Sequence, residues 1–83
     1  MDARRAADGA RPTFGWDSLT NAERRIADLV SQGHSNKDIG DRLYMSHRTV
    51  GSHLYRIFPK LNITSRVELT RLVVERSFAD LAT

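Results

Sequence analysis

The 83 residues contain no cysteine, carry a formal net charge of +3 and are 40% hydrophobic, which bounds the chain at one small domain with a limited core. Without cysteine there is no disulfide framework and no thiolate metal site, which suits a reducing, intracellular setting. No apolar run approaches the roughly 20 residues that span a bilayer, and the opening MDARRAADGARP has no apolar segment of the kind a secretory signal needs.

Residues 1–16 mix Ala, Gly, Pro, Arg and Asp without periodicity and read as a flexible tail or linker. Within them Phe14 and Trp16 are candidates to pack on the first helix of the domain. The helical pattern starts after Leu19. Thr20-Asn21-Ala22-Glu23 has capping-box spacing, in which the threonine oxygen accepts a turn amide and the glutamate reaches back. Ile26, Leu29 and Val30 follow at i, i+3, i+4, and Gly33 supplies a left-handed stop, which gives a helix over about 21–32. Ser35 caps a short second helix over about 36–42, with Asp38 near its positive end and Ile39 and Leu43 as its apolar stripe.

Leu43-Tyr44-Met45 then reads as a tight turn, and Ser46 caps a third helix over about 47–61 whose stripe is Val50, Leu54, Ile57 and Leu61. Ser65-Arg66-Val67-Glu68 is a further capping box. It opens a fourth helix through about residue 77, with Leu69, Leu72 and Val73 toward the core. No strand signal is present. The expected fold is all-α, four helices in one domain over 17–78, with a short C-terminal tail at 79–83.

Charge is unevenly spread. Residues 17–45 hold Arg24, Arg25, Lys37 and Arg42 against Asp17, Glu23, Asp28, Asp38 and Asp41, a net of −1, whereas 46–71 hold Arg48, Arg56, Lys60, Arg66 and Arg71 against Glu68 alone, a net of +4. Gathered basic charge is the footprint of a polyanion partner, or else a solvated face. A short helix, a tight turn and a serine-capped basic helix form a helix-turn-helix arrangement, which puts its second helix in the DNA major groove while the first crosses the backbone. Ser35, Asn36 and Lys37 start one helix, and Ser46, His47, Arg48 and Thr49 start the next, where free amides and the positive dipole end favour phosphates. Opposite the apolar stripe of the third helix lie Arg48, Ser52, Tyr55 and Pro59, flanked by Gly51 and Arg56. Most of these are donors, as phosphate and base-edge contacts require.

Leu19-Thr20 with Glu23-Arg24, Gly33 through Ile39, then Leu43, Ser46, Arg48-Thr49-Val50, His53-Leu54, Lys60-Leu61-Asn62-Ile63 and Ser65-Arg66 resemble the LuxR-type (GerE-like) DNA-binding domain over about residues 17–76. The resemblance implies the four-helix output domain of a bacterial transcription regulator, behind a receiver, ligand-binding or ATPase module. It also implies a homodimer through the fourth helix on a pseudo-palindromic double-stranded DNA operator, and a cytoplasmic, nucleoid-associated location. Two positions depart from the family pattern. The residue after Thr49-Val50, commonly lysine, is Gly51, and the reading position four residues on is Tyr55. That leaves Arg48 and Ser52 as the leading base readers, with Tyr55 as a third.

Several residues admit two readings. Gly51 is either an inert surface glycine or the place where missing bulk lets the helix approach the groove. Pro59 cannot donate to the Tyr55 carbonyl and is expected to bend the last turns. Lys37 and Lys60 are phosphate partners or solvated cations; His53 packs or contacts phosphate; Arg66 caps local carbonyls or contacts phosphate. On the fourth helix Val67, Arg71 and Val74 form a second face, either a dimer contact or an extension of the core against a tail in which Phe78 and Leu81 fold back. His34, His47 and His53, at spacings of 13 and 6, match no ligand motif, and no cofactor or metal is expected. No nucleophile, paired-carboxylate or phosphate-loop pattern suggests an enzyme. The competing reading is a helix-turn-helix-like module that contacts the transcription machinery, such as RNA polymerase. Residues 1–16 would be where a further module joined, if this is an excised C-terminal piece.

Overall fold

A computed structural model describes residues 14–82. A single 3-10 turn, Trp16–Ser18, leads into α1 (Asn21–Ser31), α2 (Asn36–Leu43), α3 (His47–Leu61) and α4 (Arg66–Ala82), with no strand among the described residues. The chain therefore adopts the expected all-α, four-helix fold. The first three helices end within a residue of their expected bounds. α4 is longer, running to Ala82 rather than 77, so residues expected as tail extend the helix instead. Phe78 and Leu81 remain exposed on it and do not fold back.

The helix starts follow from their caps. Thr20 and Glu23 form the full capping box: the Glu23 amide donates to Thr20 Oγ1 at 3.1 Å, and the Thr20 amide donates to Glu23 Oε1 at 2.9 Å. The hydroxyls of Ser35 and Ser46 accept the Asp38 and Thr49 amides, each at 3.1 Å. At α4 the box is altered. Ser65 accepts the Glu68 amide, but the Glu68 carboxylate accepts from the Thr64 amide, one residue further back than the motif anticipates.

The helix ends use left-handed residues. At Gly33 (φ 91°) the Gly33 amide returns to the Val30 carbonyl and the His34 amide to the Leu29 carbonyl, the paired bonds of a Schellman stop. Asn62 (φ 57°) closes α3 the same way, with Ile63 donating to the Phe58 carbonyl at 3.0 Å. α3 is continuous through Pro59. Both Pro59 and Tyr55 are exposed, so the bond that proline removes falls on the solvent side of α3, where its loss costs least.

α1 packs chiefly on α4, and α2 on α3, with α1 also touching α2 and α3. Leu19, Ile26, Ala27 and Val30 meet Ile39, Val50, Leu54, Ile57, Leu69 and Val73 in one buried core. Each buried Leu, Ile or Val side chain among them contributes about 1.5–3 kcal/mol relative to exposure. Two contacts fix the angle between α2 and α3. Tyr44 takes the left-handed conformation (φ 59°) at the turn, and the Met45 amide donates to the Gly40 carbonyl at 2.9 Å. A Cβ on Gly40 would run into the Met45 carbonyl, so glycine there is what lets the turn close against α2.

Trp16 is partly buried and packs against the core, and its 3-10 turn contacts α3. The Gly15 amide donates to the Lys60 carbonyl at 2.6 Å, and the Arg76 guanidinium of α4 lies 4.9 Å from the Trp16 ring centroid. Gly15 and Trp16, expected in the tail, thus make contacts with α3 and α4, while Phe14 is exposed. Residues 1–13 of the expected tail lie outside the described residues.

Candidate nucleic-acid interface

The inner stripe of α3 (Val50, Leu54, Ile57) is buried against α1 and α2, which turns His47, Arg48, Thr49, Ser52, Tyr55, Arg56 and Pro59 to solvent. Arg48, Gly51, Ser52, Tyr55 and Arg56 come together around one shallow depression. The structure thus gathers the central part of the expected reading face. Ser46 and Thr49 are partly committed elsewhere. Their hydroxyls bond each other at 3.0 Å while Ser46 caps the helix, which orders the first turn and the basic residues behind it.

Asn36 opens α2 directly beside this face. Arg66 Nη1 donates to its Oδ1 at 2.6 Å, so the amide NH2 is the end left over, and it lies on the Gly51 side. The same guanidinium donates through Nη2 to the His34 carbonyl at 2.8 Å. Of the two readings of Arg66, the geometry therefore supports the local one: it ties the start of α4 to the start of α2 and orients Asn36. Lys37 is exposed beside Asp41, 3.4 Å away, a pair too solvated to hold it firmly.

Lys60 departs most from expectation. Although on the basic helix, it turns inward, and Nζ lies 2.8 Å from Glu23 Oε1 and donates to the Ser18 carbonyl at 3.3 Å. Glu23 is 2% exposed, and a buried carboxylate needs a partner. Burial raises its pKa, but the Lys60 hydrogen bond, the Thr20 amide and the positive charge of Lys60, with a last and smallest contribution from nearby His53, outweigh it, holding the carboxyl below its ordinary range. Lys60 is thus paired within the fold, to Glu23 and the Ser18 carbonyl. His53 is also turned inward on the half-buried side of α3, its Nδ1 buried without a hydrogen-bond partner among the described residues. The Glu23–Lys60 pair, 37 residues apart in sequence, carries no local signal that single-sequence reading could use.

Once Lys60, Arg66 and Lys37 are accounted for, Arg48 and Arg56 stand out on α3 as exposed cations with no ion-pair partner among the described residues. On α4, Val67 is 79% exposed, and Val74, Phe78 and Leu81 are exposed with it. Arg71, on the same side, lies 3.6 Å from Glu75. Among the described residues no group of His, Asp and Glu could hold a metal ion, and no helix is long and apolar enough to cross a membrane.

Two helices at a tight glycine-dependent turn, the second presenting an unpaired basic face, define a helix-turn-helix unit. The family model described as bacterial regulatory proteins, luxR family, matches residues 17–73, and the chain belongs to that family. It is 54% identical over 59 residues to a protein of Mycobacterium tuberculosis named as an HTH-type transcriptional regulator, a match covering 71% of this chain and 7% of that protein. It is 43% identical over 67 residues to the response regulator GacA of Pseudomonas aeruginosa, covering 81% of this chain and 31% of that protein. The chain therefore spans only a small part of the length of these relatives.

Proposed function

We propose that this domain is the output module of a bacterial transcription regulator and binds double-stranded DNA sequence-specifically, with α3 in the major groove. The observation that carries this reading is the outward face of α3. It bears Arg48 and Arg56, which have no ion-pair partner among the described residues, on a helix whose other side is locked into the core. A guanidinium left unpaired by its own fold is available for phosphate or guanine. Asn36 and Lys37 at the start of α2, and His47, Thr49, Ser52 and Tyr55 on α3, complete the proposed contact set. Lys60 and Arg66 leave it because the fold bonds them internally, and His53 because it is turned inward on the half-buried side of α3.

Two copies would pair through α4, where Val67, Arg71, Val74, Phe78 and Leu81 recur at alternating spacings of four and three, the stripe along which two helices pack. The operator would then be pseudo-palindromic, with half-sites about one turn apart, and the site of action would be the bacterial cytoplasm. Selection of the chain against random duplex DNA at near-physiological salt tests this reading. A two-fold-related motif, weakened or relaxed with Arg48→Ala, is the expected result. No enriched motif, together with salt-resistant binding to RNA polymerase, would favour the protein-contact module instead.

A further inference from the structure

The α3 face is more than a basic helix. Gly51 and Ser52, its two smallest side chains, lie between Arg48 one turn before and Tyr55 and Arg56 one turn after, and the five residues border a depression of about 460 Å³. A Cβ on Gly51 would meet only Asn36 Nδ2, at 3.8 Å, so the protein's own packing leaves the space over its Cα open. Inside a helix the Gly51 amide and carbonyl are already bonded along the chain, so what Gly51 presents outward is C–H surface. The Tyr55 ring, 82% exposed, forms an apolar wall on one side. The result is a saddle with a small apolar floor and guanidinium groups at its ends.

Resting on the reading of α3 as the groove-facing helix, we propose that this saddle is a thymine-selecting site, seating the 5-methyl group of a thymine over Gly51 and against the Tyr55 ring. The major-groove edge of thymine offers a methyl beside one acceptor, whereas cytosine offers an amino donor. Directly over the Gly51 Cα that donor would lose its water with no acceptor beneath it, the Ser52 hydroxyl being the acceptor on the depression's border. Arg48 at the rim suits a guanine on a neighbouring base pair, and Arg56 a phosphate. A longer residue at position 51 would fill the saddle and hold the helix away from the base edge, so Gly51 and Tyr55 together determine specificity where neither carries charge.

The test removes one methyl group at a time. The duplex selected by the 83-residue chain is remade with deoxyuridine in place of each thymine in turn. At one thymine per half-site, binding of the unaltered chain is expected to weaken about fourfold, the worth of one buried methyl. Gly51→Gln, which favours the helix but fills the saddle, is expected to bind the thymine and deoxyuridine duplexes equally. Tyr55→Ala should also shrink the ratio, and its helical circular dichroism and melting temperature check that it folds. Specific binding with no thymine–deoxyuridine difference at any position would overturn the thymine site and leave the DNA-binding reading intact. So would a difference that survives Gly51→Gln. Failure to select any duplex sequence would remove both.

Discussion

Arg56 and Lys60 lie one turn apart on α3 and would look interchangeable in a count of basic residues, yet the fold treats them in opposite ways. Lys60 turns inward to the buried carboxylate of Glu23 at 2.8 Å, while Arg56 stays outside with no partner among the described residues. The difference lies in what each meets. α1 brings a desolvated anion to the C-terminal end of α3 and nothing comparable to its outward face. The same contrast separates Arg66, bonded to Asn36 and His34, from Arg48. Cations that satisfy the fold's own buried acceptors stabilise it; those left unsatisfied are available to a partner.

The contrast can be broken most forcefully at Lys60. Lys60→Met leaves Glu23 buried without its main cation, and a loss of about 3 kcal/mol of stability is expected in urea denaturation. This is the low end for a buried pair because Lys60 remains partly exposed. The pH profile gives the sign independently. The fold holds Glu23 below its ordinary range, so its stabilising contribution is complete above that range and is lost as pH falls through the folded value. In Lys60→Met burial dominates, the carboxyl titrates higher, and acid should relieve the penalty rather than remove a bond.

Arg66→Ala comes next, with an expected loss of about 2 kcal/mol in the same assay from two bonds made by a charged donor. Arg56→Ala and Arg48→Ala should behave in the opposite manner. Stability should stay within about 0.5 kcal/mol of the parent, while duplex affinity falls for both. Gly51→Ala should raise stability by up to about 1 kcal/mol through helix propensity. The added Cβ meets only an ordinary van der Waals neighbour, so a lower melting temperature would contradict the open saddle.

Much of the architecture was legible in sequence because it is written locally. The caps at Thr20, Ser35 and Ser46, the stop at Gly33 and the spacing of Val50, Leu54 and Ile57 each act within one or two turns, and so α1 to α3 fall where their residues place them. The end of α4 was not legible. Residues 78–82 contain no stop signal, and neither proline nor glycine interrupts them, so helix simply continues. The outward residues of α3 follow from its apolar stripe, since burying one side exposes the other. What sequence spacing could not assign was the division of the cations, because Lys60 depends on Glu23 and Arg66 on Asn36 and His34, partners that only the assembled helices bring together. Gly40 belongs with these, its need for no side chain set by the Met45 carbonyl across the turn.

The central claim is that the unpaired cations of α3 meet DNA phosphates and bases. Its most direct test is the salt dependence of duplex binding for the unaltered chain, for Arg48→Ala with Arg56→Ala, and for Lys37→Ala as a cation weakly held by its own helix. If the claim holds, the double variant binds more weakly, and its slope of log affinity against log salt is shallower by up to about 2, close to one for each phosphate no longer neutralised, with its melting temperature unchanged. An unaltered slope and affinity in a folded double variant would contradict the account, because the charges that the fold leaves unpaired would then not be the ones that DNA uses.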